Sequence, residues 1–152
     1  MNTKEKNLSN TLKKYYLENK FLFDKIESRL TATGIPDLLV CSPNGVEQLV
    51  ELKVVEKEGN KAHILHLTPG QVAWHAKRNL YHRSNPFVVL LEELDKLVII
   101  SSRKAVEIIR EGGKVDYNSI PKECLFDRKK VDYSLLIFTT TDLFYSSQKV
   151  YK

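Results

Sequence analysis

No stretch of this chain is apolar for long enough to cross a bilayer. Its longest apolar runs, Phe87 to Leu91 and Leu135 to Phe138, fall far short of the roughly 20 residues a spanning helix needs. Met1 to Lys6 is polar and no apolar stretch follows it, so no secretory signal is expected. Cysteine is scarce. Cys41 and Cys124 lie far apart without metal-ligand spacing, which suits reduced thiols in a cytosolic protein. The histidines, His63, His66, His75 and His82, scatter over strand, loop and helix, an arrangement that argues against a zinc site. Neither an internal repeat nor a low-complexity segment is visible. What remains is 152 residues with 42% hydrophobic and 28% charged content, enough for one domain with a real core and neither disordered nor fibrous. The net charge of +5 suits a polyanionic partner without establishing one.

Leu8, Leu12, Tyr15 and Tyr16 recur at helical spacing, and Ser9 or Asn10 can cap, which predicts a helix over about Asn7 to Asn19. Phe21 to Ser28 alternates with a period of two, the pattern of a first strand. Thr31 to Gly34 makes a turn and Ile35 to Cys41 a second strand. Ser42-Pro43-Asn44-Gly45 is a strong hairpin signal, Asn-Gly being able to adopt positive φ. Val46 to Val55 returns as a third strand, and Glu56 to Lys61 reads as a charged loop. Thr68 as N-cap, Pro69 in the first position and Gln71 closing a capping box open a second helix that ends near Tyr81. Pro86 to Leu91 and Leu97 to Ser101 are strands, and Arg103 to Arg110 is a helix stopped by Gly112-Gly113. Ser134 to Thr140 and Leu143 to Tyr145 are β-like patches. The expected class is α+β, α/β sandwich-like: a central mixed sheet flanked by helices in the order αβββαβ, with a C-terminal extension. One domain is expected over residues 1–152, with its core at about 7–111 and the extension at 112–152.

Asp, Glu and Lys are seldom buried unless paired or bound to metal, yet all three interrupt the most apolar region of the chain. Asp37 lies in Gly34-Ile35-Pro36-Asp37-Leu38-Leu39-Val40. Glu51 and Lys53 lie in Gln48-Leu49-Val50-Glu51-Leu52-Lys53-Val54-Val55. Across the hairpin, Asp37 and Glu51 can share one cation. Glu51 and Lys53 project from one sheet face, whereas the Leu52 side chain turns into the core and its backbone carbonyl stays close to the metal. Hard oxygen donors favour Mg²⁺, with Mn²⁺ as a substitute. Such a site suits phosphodiester hydrolysis, where a cation neutralises phosphoryl oxygens and acidifies a water that a neighbouring lysine can hold or deprotonate. The bland alternative is a salt-bridge cluster on a half-exposed hairpin.

Pro36-Asp37 followed by Glu51-Leu52-Lys53 resembles the PD-(D/E)XK nuclease superfamily. Together with Gly34-Ile35 and Thr68-Pro69-Gly70-Gln71-Val72-Ala73-Trp74, the pattern is similar to the VRR-NUC branch and its phage relatives, which include Holliday-junction-resolvase-like enzymes. The resemblance runs over roughly Phe21 to Leu91. It implies a restriction-endonuclease-like core, Asp37 and Glu51 as metal ligands, Lys53 as the water-activating residue and Gln71 as a helix residue reaching the active centre. Relatives often add an upstream glutamate; Glu5, Glu18 and Glu27 qualify by order, and Glu27, late in the first strand, is preferred. The implied function is a Mg²⁺-dependent DNA endonuclease acting on Holliday junctions or other branched DNA, in the cytoplasm beside nucleoid or phage DNA. Cutting two strands symmetrically calls for a homodimer.

Several assignments stay open at this stage. Gln71 can serve only the capping box with Thr68, or both cap and site if its side chain switches. Trp74 reads as core ahead of a base-stacking platform. Lys13, Lys14, His75 and Arg78, with Lys20, Lys77 and Arg83, can contact DNA, His75 and Arg78 from the same helix face as Gln71. Arg128-Lys129-Lys130 is a short basic run of either kind. A site-specific restriction or homing-type endonuclease is the alternative enzyme, with room for a base-reading insertion only in Glu56 to His66 and in the C-terminal tail. A non-catalytic DNA-binding module is the alternative outside enzymes.

Overall fold

Two antiparallel units lie side by side and join through a parallel pair. The computed structural model describes residues 3–26, 33–58, 62–81, 85–116, 118, 120, 122 and 125–127. Helix α1 (Thr3–Glu18) leads into strands β1 (Leu22–Lys25), β2 (Leu38–Cys41) and β3 (Glu47–Val55). After β4 (Lys57–Glu58) and β5 (Ala62–Ile64) come α2 (Pro69–Leu80), β6 (Pro86–Leu91), β7 (Lys96–Ser101) and α3 (Ser102–Arg110). Strands β8 (Lys114–Val115) and β9 (Leu125–Asp127) follow. The main sheet has six strands in the order β1-β2-β3-β6-β7-β9, and β4, β5 and β8 form a small second sheet. Only β3 and β6 run parallel; the other pairs of the main sheet are antiparallel.

The sheet separates two apolar layers. Alternation along β3 sends Val50 and Leu52 to one side, against Leu8, Leu12 and Tyr16 of α1. Val55 goes to the other side with Phe87, Val89 and Ala105, beneath α3. Glu51 and Lys53 share the face of Val55, the one α2 covers. Every residue of β6 is buried, the expected state of a central strand covered on both faces.

The hairpin turn is as its residues dictate. Gly45 takes a positive φ of 86° and its N–H reaches the Ser42 carbonyl at 2.9 Å. Other boundaries differ from expectation. Helix α1 begins at Thr3, ahead of Asn7, so Ser9 is a buried residue of the helix rather than its cap. Strand β2 begins at Leu38, which leaves Asp37 just outside the ladder. The stretch from Glu56 is not all loop: Lys57 pairs with His63, and Glu93 clamps the pair, accepting from Lys57 N–H at 2.8 Å and meeting His63 Nε2 at 2.7 Å. Strands of two or three residues carry no readable period, which is why they escape sequence analysis. The β-like patches at 134–140 and 143–145 lie outside the described residues.

Gly34 anchors the loop that delivers Asp37. Its φ is +102°, and a β-carbon there would stand 2.4 Å from the Gly70 carbonyl oxygen and 3.0 Å from the Trp74 β-carbon. Loop and helix therefore meet backbone to backbone, which only glycine permits. Gly45 has the same handedness with open space around it. Gly45→Ala should cost about 1 kcal/mol, for the left-handed backbone alone. Gly34→Ala should cost about 3 kcal/mol, since overpacking adds to the backbone strain. Urea unfolding midpoints measure both; equal losses would remove the loop–helix contact from this account.

Candidate functional site

The ladder pairs Leu38 with Val50, so one step further out Asp37 stands across from Glu51 on the same sheet face. Both acids are buried, Asp37 at 7% exposure and Glu51 at 0%. Asp37 Oδ2 accepts the Leu52 N–H at 3.0 Å, which locks its side chain over the next strand. Glu51 Oε1 accepts from Gln71 Nε2 at 2.8 Å. The Gln71 carbonyl oxygen in turn accepts from Lys53 Nζ at 3.2 Å and from the Thr68 N–H at 3.0 Å. The reversed amide would set its NH₂ against an ammonium and an N–H, and its oxygen against a carboxylate; the chemistry of the partners decides the orientation. No donor among the described residues reaches Glu51 Oε2, although that atom is buried.

Such a site is electrostatically incomplete. Burial, then the hydrogen bond and charge of neighbouring Asp37, push the Glu51 carboxyl up to about 9; Lys53 pulls the other way and Glu5 adds to the rise. That rise favours the protonated form of the Glu51 carboxyl in the isolated chain. A divalent cation, were one held here, would favour the ionised Glu51 carboxyl. The oxygen chemistry of two carboxylates fits Mg²⁺ or Mn²⁺. Among the described residues no group of three or more His, Cys, Asp and Glu gathers as a metal site. To such an ion the described residues offer the two carboxylates of Asp37 and Glu51.

Asp37, Glu51, Lys53 and Gln71 come together as expected, and Gln71 needs no switch. Its backbone N–H bonds Thr68 Oγ1 at 3.1 Å while its side chain serves the cap and the site simultaneously. Glu27 lies outside the described residues. Glu5 is the upstream glutamate whose charge reaches Glu51. It shares the α1 face of Leu8 and Leu12 at helical spacing, a signal present in the sequence but hidden by starting the helix at Asn7. Lys4 pairs with Glu56 and, at 3.0 Å, with Glu92, and so ties this first turn to the end of β3.

His75 is a correction. It is fully buried, its ring centroid 4.7 Å from that of Phe87, and therefore does not line a path for DNA. Its position on the Gln71 face is what turns it inward. Burial, then the charges of Arg78 and Lys53, lower its pKa to about 4, so the ring is neutral. Arg78 is half-buried with its guanidinium 3.8 Å from the centre of the Trp74 ring, a cation–π contact. Trp74 itself is half-buried against the Gly34 loop. Lys13, Lys14 and Lys77 are exposed; Lys20 sits in the turn after α1 with φ 64°. Arg83 and Arg128 to Lys130 are outside the described residues.

No known family model matches the chain, and no curated protein does. Among solved structures, Archaeoglobus fulgidus Hjc, a Holliday junction resolvase from an archaeal hyperthermophile, is similar with a TM-score of 0.52 and 14% identity. The match covers 76% of this chain and 89% of that one. A VRR_NUC domain is similar with a TM-score of 0.42 and 28% identity, over 73% of this chain and 98% of that one. The likeness to Hjc shows the fold: a mixed sheet flanked by helices, restriction-endonuclease-like, as the motifs led us to expect.

The raised Glu51 pKa has a stability consequence. From the ordinary carboxylate value of 4.5 up to about 9 the folded chain holds a proton that the unfolded chain releases, so metal-free stability falls as pH rises across that window. In EDTA, Glu51→Gln should melt above wild type, with a gap that widens from about pH 5 to about pH 8. A gap independent of pH contradicts a raised Glu51 pKa.

Proposed function

We propose that the protein is a divalent-metal-dependent nuclease that hydrolyses phosphodiester bonds in DNA, with branched DNA such as a Holliday junction as its substrate. The observation that carries this reading is the buried pair Asp37 and Glu51, with Glu51 Oε2 left unserved beside a lysine. The fold shared with a solved Holliday junction resolvase supports the choice of branched DNA.

In this reading Asp37, Glu51 and the Leu52 carbonyl hold Mg²⁺. When bound, the cation neutralises charge on the phosphoryl oxygens and makes a coordinated water acidic. The residues of the chain do the rest. Glu51 commits Oε1 to Gln71, which leaves Oε2 as the oxygen that would hold a cation. Lys53 Nζ gives one hydrogen bond to Gln71 and has two more N–H bonds to aim at the attacking water or at a phosphoryl oxygen. Of the upstream glutamates, Glu5 on the first turn of α1 is the one whose charge reaches Glu51, and it is our candidate for the further acid of the site. Exposed Lys13 and Lys14, with Arg78 held flat on Trp74, are the proposed phosphate contacts. Within Glu56 to His66, one of the two stretches with room for a base-reading insertion, Ala62–Ile64 pairs with β4 and β8; the C-terminal tail, the other, lies outside the described residues from 128 onward. Two copies of the chain would cut the two strands of a junction.

Labelled four-way junction, flap, duplex and single-strand substrates, each with Mg²⁺, Mn²⁺ or EDTA, test this directly. The junction should be cut with either metal and not in EDTA. Asp37→Ala and Glu51→Ala should slow cutting by about a hundredfold or more while binding persists. Equal cutting by wild type and Glu51→Ala would overturn the proposal.

A further inference from the structure

The Gln71 side chain bonds two site residues, Glu51 and Lys53, yet a glutamine side chain has several free torsions and loses considerable entropy when held. Something must hold it. Its carbonyl oxygen uses both lone pairs, one on Lys53 Nζ and one on the Thr68 N–H; its backbone N–H is taken by Thr68 Oγ1. Thr68 is exposed and belongs to no core cluster, so packing alone gives no reason for it. The extended backbone at Thr68, φ −67° and ψ 156°, aims its N–H back at the Gln71 amide. We infer that Thr68 is a positioning residue of the candidate site: the cap it forms on α2 fixes the Gln71 amide, and through it the placement of Lys53 and the free oxygen of Glu51. The inference rests on the nuclease reading only where cleavage is the readout.

Helix α3 supplies a matched control. Ser101 caps it in the same way, accepting from the Lys104 N–H at 3.1 Å, but the Lys104 side chain pairs with Glu107 and touches nothing at the site. Thr68→Val and Ser101→Ala each remove one cap hydroxyl. Thr68→Gly removes the Thr68 hydroxyl at little cost to helix stability, and so serves if the valine variant folds poorly. Two measurements follow. First, the Gln71 side-chain amide resonances, identified by their loss in Gln71→Ala, should be dispersed in wild type, Thr68→Ser and Ser101→Ala. In Thr68→Val and Thr68→Gly they should collapse toward free-glutamine values. Second, at saturating Mg²⁺ and DNA, the cleavage rate should fall about tenfold or more in Thr68→Val and Thr68→Gly. It should stay at the wild-type level in Thr68→Ser and Ser101→Ala. Unchanged Gln71 resonances in both hydroxyl-free Thr68 variants overturn the inference, as does a rate loss that Ser101→Ala shares. If wild type cuts no DNA, the nuclease reading fails and the resonances alone decide the role of Thr68.

Discussion

Two carboxyl groups pressed together inside the protein govern everything around them. Asp37 and Glu51 are both buried on one sheet face, and Glu51 keeps an oxygen that no donor among the described residues serves. Burying one ionised acid is costly and burying two in contact is costlier. The fold offsets part of that cost: Asp37 accepts the Leu52 N–H, Glu51 accepts from Gln71, and the Lys53 charge opposes the rise in Glu51 pKa. The remainder falls to a proton or a cation.

Holding the acids in place draws on distant parts of the chain. The hairpin sets Asp37 across from Glu51. The backbone contact of Gly34 with Gly70 seats the Asp37 loop on the first turn of α2, and Gln71 in that same turn reaches Glu51 and Lys53. One helical turn thus touches both β3 and the loop that delivers Asp37. Helix α1 approaches from the opposite layer, and its early start is what brings Glu5 within electrostatic reach of Glu51. Local choices and global fold agree here: a capping box, a glycine contact and a strand register point to one arrangement.

What could be read from the sequence followed from strong local signals. Asn44-Gly45 marked the hairpin, Thr68-Pro69-Gly70-Gln71 marked the start of α2, and unbroken apolar residues marked β6. The acids stood out because they interrupt such runs. Other features depend on placement in three dimensions. His75 lies one turn beyond Gln71, and helical spacing alone does not say whether that face meets solvent or the sheet; Phe87 decides it. The clamp of Glu93 on Lys57 and His63 joins segments about thirty residues apart, beyond any local pattern. For Gln71, capping and reaching the site looked like competing roles. They coexist because an amide has an acceptor at one end and donors at the other.

If a divalent cation binds between Asp37 and Glu51 as proposed, it displaces the proton that Glu51 holds. Titrating the protein with Mn²⁺ at neutral pH in two buffers of different ionisation enthalpy measures the protons released on binding. The account predicts about one proton released per bound ion in wild type and none in Glu51→Gln. Binding without proton release, or equal release from both proteins, would contradict it.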